Sequence, residues 1–87
     1  MTNRVQAIET RLRQSLGPET IEIRDDSAAH VGHPGASAGG HFSVTIVAAA
    51  FSGKNTLTRH RMVYEALADL RGEIHALSIR ALAPDEI

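Results

Sequence analysis

Three of the chain's five histidines, His30, His33 and His41, fall in the stretch AAHVGHPGASAGGHF, and a fourth, His75, opens the run HALSIRAL. Near neutral pH an imidazole can titrate, with an unperturbed pKa of about 6.5, or ligate a borderline metal in its neutral form. The chain has no cysteine, so it forms no disulfide and builds no thiolate metal site from its own residues. Iron–sulfur chemistry here would take its sulfur from elsewhere. A second group, Lys54, Arg59 and Arg61, sets three cations near the start of a candidate helix. Helix starts disfavour cations, so the misfit hints at a binding role. No Ser/His/Asp or Cys/His pattern, phosphate-cradling glycine loop or pair of buried carboxylates emerges, and the chain is not expected to be an enzyme.

The elements that position these residues follow from periodicity. Val5, Ile8, Leu12 and Leu16 share one helical stripe, with Asn3 and Gln6 as a capping box and Gly17-Pro18 as the stop. Thr20 to Asp25 alternates as a strand, with Ile21 and Ile23 on one face. From Asp26 to Gly40 no period survives, and the glycines and Pro34 mark a long loop. Phe42, Val44 and Ile46 then alternate with Ser43 and Thr45 in a second strand. After a turn at Phe51 to Asn55, a helix is expected from about Thr56 to Arg71, ended by Gly72. Its apolar stripe reads Leu57, His60, Tyr64 and Leu67, with Val63, Ala66 and Leu70 beside it. A third strand runs from Ile74 to Ala81, with His75, Leu77 and Ile79 on its apolar face. Pro84-Asp85-Glu86 can open a last helical turn.

The order is αββαβ, an α+β domain with a three-stranded mixed sheet and its helices on one face. Strands one and two are joined by a loop that returns the chain, so they are antiparallel. Strands two and three are joined through a helix, so they are parallel and start at the same end of the sheet. His75 therefore belongs at the loop end, with His30, His33 and His41. His60 sits at the opposite end, as a packing residue at the core edge.

At 87 residues the chain is read as one domain, residues 1–87, with a core of Val, Ile, Leu and Ala because aromatics are scarce. The formal net charge of -1 supplies no global field toward nucleic acid or membrane. The absence of cysteine, of a long apolar run and of a signal-like N-terminus leads us to expect a cytoplasmic protein.

The segments GGHFSVTIVAAAFSGKNTLTRHRMVYEAL and IHALSIRALAPDE resemble the BolA family. The resemblance rests on His41-Phe42, Phe51-x-Gly53, Leu57-x-Arg59-His60-Arg61-x-Val63-Tyr64 and His75-Ala76-Leu77, and spans about Val5 to Pro84. It implies a fold related to the class II KH fold. It also implies a non-enzymatic partner of a monothiol glutaredoxin, the two proteins sharing a [2Fe-2S] cluster for iron–sulfur trafficking or iron regulation. The glutaredoxin would supply one thiolate and its bound glutathione another. This chain would supply His75 and a loop imidazole, with His30 the better positional match and His33 its rival. Alone, the chain is expected to be a monomer with no tightly bound cluster.

The alternative is a DNA-binding transcriptional regulator that uses the KH-like fold, with Lys54, Arg59 and Arg61 on phosphate. Against it stand the missing Gly-x-x-Gly, whose place Ser52-Gly53-Lys54-Asn55 takes, and the few aromatics available for stacking.

Overall fold

The computed structural model describes residues 4–26 and 40–87. Asn3, the expected cap, and His30 and His33 lie outside the described residues. Helix α1 spans Arg4–Leu16, strand β1 Thr20–Asp25, strand β2 Gly40–Val47, helix α2 Thr56–Ala66 and strand β3 Ile74–Leu82. Short 3₁₀ turns cover Ala49–Phe51, Ala68–Glu73 and Pro84–Glu86. Among the described residues, no helix is long and apolar enough to cross a membrane.

The stripe on α1 does what its spacing requires. Ile8 and Leu12 are fully buried, and the helix stops where Gly17 takes a φ of 54° and donates its N–H to the Arg13 carbonyl. A residue with a Cβ is disfavoured in that left-handed conformation, so glycine makes a clean end to the helix.

β2 is the central strand, antiparallel to β1 and parallel to β3, as the loop and crossover arguments require. Its alternation sorts the two faces of the sheet. Phe42, Val44 and Ile46 are buried, and the register aligns Ile23–Val44–Ile79 and Ile21–Ile46–Ala81 into apolar rows. These rows join Ile8, Leu12, Val63, Leu67 and Leu70 in one core cluster, which places both helices on the same face. The other face carries the rows Glu22–Thr45–Arg80 and Arg24–Ser43–Ser78 and is open.

The expected second helix needs two corrections. It ends at Ala66 rather than Arg71, and the chain continues as a tighter 3₁₀ turn through Ala68–Glu73. Gly72 lies inside that turn, and the positive-φ glycines among the described residues are Gly17 and Gly53. The buried stripe is also rotated. Leu57 and Tyr64 are 59% and 43% exposed, whereas Val63 and Leu67 are buried and Met62 and Ala66 half-buried. The face that meets the core carries Met62, Val63, Ala66 and Leu67, and Arg59, paired with Glu86, lies beside it.

Candidate functional site

The start of β2 and the start of β3 meet at one end of the sheet, and two imidazoles meet with them. The ring centroids of His41 and His75 are 4.9 Å apart, with the ring planes inclined by 45°. His41 is half-buried and well anchored. Its carbonyl accepts the N–H of Asp26 at 2.7 Å. The carboxylate of Asp26 accepts from Ser43 Oγ at 2.6 Å and from Arg24 Nε at 2.8 Å. These contacts stitch the end of β1 to the start of β2. Asp26 and Gly40, which bracket the histidine-bearing segment, both lie at this end of the sheet.

His75 is exposed, not partly buried on the apolar face as alternation suggested. Its backbone explains the difference. Gly40 pairs with Ile74 but His41 with Ala76, so His75 is the extra residue of a bulge. A bulge adds one residue on one strand and re-aims the side chains around it. One signal in the sequence marks it: Ile74 and Leu77, both packed against the core, are three residues apart where an unbroken strand would need two or four. Beside His75 a groove of about 170 Å³ is lined by Tyr64, Leu67, Arg71, Ile74 and Leu77, among others.

The donor set limits what this end of the domain can hold. Among the described residues, no three His, Cys, Asp or Glu side chains converge on a common point. The described part therefore provides imidazoles and no closed metal cage, and the whole chain offers no thiolate. An iron–sulfur cluster bound here would take its sulfur ligands from outside the chain. His60, half-buried in α2, takes no part in the contact between His41 and His75.

The cationic group divides. Lys54 and Arg61 are exposed. Arg59 is not available as expected: its side chain is only 11% exposed. It forms a two-pronged pair with Glu86, Nη1 to Oε1 at 2.5 Å and Nη2 to Oε2 at 2.7 Å. It also donates to the carbonyls of Ala81 and Lys54. Glu86 in turn accepts the N–H of Ala83. The Arg59 hydrogen bonds, then the Ala83 N–H, hold the Glu86 carboxyl down to about 2, and the same pairing raises the Arg59 pKa. A guanidinium so engaged ties α2 to the C-terminal turn. The sequence signal for this was the acidic Pro84-Asp85-Glu86 turn, whose spatial neighbour could not be read without the fold.

The geometry has close counterparts. The BolA domain of SufE1 from Arabidopsis thaliana superposes with a TM-score of 0.85 at 40% identity, over 100% of this chain and 99% of that one. BolA-like protein 1 of Homo sapiens is 44% identical over 79 residues, 90% of this chain and 56% of that protein. The DNA-binding transcriptional regulator BolA of Escherichia coli K12 is 37% identical over 75 residues, 85% of this chain and 70% of that protein. The chain thus spans just over half the length of its animal relatives. The family model for BolA-like proteins matches residues 12–86, a span that holds β1, β2 and β3, the paired imidazoles and the Arg59–Glu86 clasp, and the chain belongs to the BolA family.

Proposed function

We propose that this chain is a non-enzymatic partner of a monothiol glutaredoxin, with which it shares a [2Fe-2S] cluster for iron–sulfur trafficking or iron regulation. The observation that carries the reading is the exposed His75 imidazole at the end of the sheet bracketed by Asp26 and Gly40. His75 offers a neutral imidazole from a strand, and His30 or His33 offers a second from the intervening segment. The glutaredoxin and its glutathione bring the thiolates this chain lacks. When bound, such a cluster supplies transferable iron and sulfide and a one-electron centre, and imidazole in place of thiolate raises its potential. The strand framework gives the His75 backbone a defined place at the end of the sheet, which favours it as a ligand.

Mixing the chain with a cluster-loaded monothiol glutaredoxin and glutathione should change the visible absorption and circular dichroism spectra and produce a heterodimer on sizing. An unchanged spectrum with no heterodimer overturns the reading.

DNA binding is a second reading, favoured by the name of the Escherichia coli relative and by the exposed Lys54 and Arg61. In this reading Arg59 contributes by holding the helix start in place, not by touching phosphate. The two readings use opposite ends of the sheet and can coexist in one protein.

A further inference from the structure

Among the described residues, β1 and β3 are the outer strands of the sheet. An outer strand presents unpaired N–H and C=O groups, and charge of one sign along it keeps other copies away. β1 carries the opposite arrangement. Glu22 and Arg24 differ in sign and stand at equal distance on either side of Ile23. Both are exposed and lie on the open face of the sheet, in register with Thr45 and Ser43. Arg24 gives Nε to Asp26 and still leaves its side chain 74% exposed.

The ladder fixes which backbone groups of β1 face outward. The Asp26 N–H bonds the His41 carbonyl, so by alternation Arg24 and Glu22 also direct their backbone groups at β2. Ile23, between them, directs its N–H and C=O away from the sheet. A second copy laid antiparallel on this edge exchanges hydrogen bonds with it at Ile23, on the two-fold axis. Glu22 and the partner's Arg24 then fall in a non-hydrogen-bonded pair, where side chains approach most closely. Outward groups stay opposite outward groups only when the register moves by two residues. One such move sets Glu22 against the partner's Glu22, and the other sets Arg24 against the partner's Arg24. Like charges directly opposite each other destabilise a pairing, so a single register is selected.

We propose that the outer edge of β1 is a self-association site: a second copy of this chain pairs with it antiparallel about Ile23, and each Glu22 meets the partner's Arg24. The two sheets join edge to edge, with Ile23 beside the partner's Ile23 on the helix-covered face. A contact this short buries less than the roughly 1,200 Å² at which stable interfaces begin. The chain is therefore a monomer when dilute and pairs as its concentration rises. β3, with His75, forms the other edge of the sheet, and the inference does not depend on the glutaredoxin reading.

Sedimentation equilibrium of the full chain at concentrations up to about 1 mM, with amide NMR across the same range, tests the proposal. The mean mass should climb from monomer toward dimer. The Ile23 amide should shift with concentration, while those of Leu77 and Ile79 on β3 stay still. Glu22→Arg turns both cross-strand pairs into like charges, and so does Arg24→Glu. Each alone should raise the dissociation constant about tenfold or more. The double variant Glu22→Arg with Arg24→Glu restores opposite charges and should recover the association. An equimolar mixture of the two single variants should form a mixed dimer more tightly than either associates with itself. Dispersed amide spectra establish that each variant is folded. A chain that stays monomeric throughout overturns the proposal. So does association that survives both single charge reversals, a mixture no tighter than its components, or concentration-dependent shifts on β3 in place of Ile23.

Discussion

Arg59, in the first turns of α2, reaches Glu86 in the last turn of the chain and closes a two-pronged ion pair, with Nη–Oε distances of 2.5 and 2.7 Å. A planar guanidinium facing a carboxylate with both prongs satisfied is among the stronger arrangements an ion pair adopts. It clasps the start of α2 to the end of β3, across which Arg59 also bonds the Ala81 carbonyl.

Removing either partner should destabilise the fold, and the effect should depend on pH in a defined direction. The Glu86 carboxyl is lowered from 4.5 to about 2. A depressed carboxyl contributes its stability above its unfolded pKa and loses it as pH falls through the folded one. Glu86→Gln should therefore lower the melting temperature at neutral pH. The gap to the unsubstituted chain should narrow between about pH 4.5 and 2. Thermal melts by circular dichroism across that range check it. A gap that widens on acidification would contradict the assignment.

Lys54 and Arg61 should carry what nonspecific DNA affinity the chain has. If each neutralises one phosphate, replacing both with alanine should reduce the slope of log K against log salt by about 1.8. Fluorescence anisotropy on a short duplex at several salt concentrations measures it. Arg59→Ala should act through stability, so its salt slope should match that of the unsubstituted chain wherever the variant is folded.

The orientation of the helices gives a contrast in stability. Leu12 is fully buried, and Leu12→Ala should cost about 2–5 kcal/mol through lost burial and a residual cavity. Leu57 is 59% exposed, and Leu57→Ala should stay within about 0.5 kcal/mol. Urea denaturation separates the two. Comparable losses would mean that α2 presents to the core the stripe drawn from its sequence.

What the sequence made legible follows a physical division. Strand alternation, the Gly17 stop, the antiparallel return and the parallel crossover are local or topological, and each appears in the fold. They were enough to bring His41 and His75 to one end of the sheet. The burial of His75 was misjudged because a bulge shifts the parity of a strand by one, and pairing partners decide where it falls. The engagement of Arg59 was not legible because its carboxylate partner lies across the domain, out of reach of any local pattern. The α2 stripe was misdrawn at Leu57 and Tyr64, which fit the helical period but are exposed, because period alone does not decide which face packs. Val63 and Leu67, shared by both candidate stripes, were placed in the core either way.

The His75 imidazole should matter more to the proposed heterodimer than either loop imidazole. It stands on a strand whose pairing is set by β2, and its exposure means its removal takes little packing with it. His75→Ala should leave the circular dichroism of the lone chain and its melting temperature nearly unchanged. The same substitution should abolish the visible spectrum of the cluster-bearing heterodimer. His30→Ala should weaken that spectrum less, because His33 is carried on the same segment and can replace it, and the double variant His30→Ala with His33→Ala should lose it. Visible circular dichroism of each variant mixed with cluster-loaded glutaredoxin gives the ranking. A His75→Ala chain that keeps the full spectrum while His30→Ala loses it would assign the ligands to the loop alone. The sheet-end imidazole would then have no part in holding the cluster.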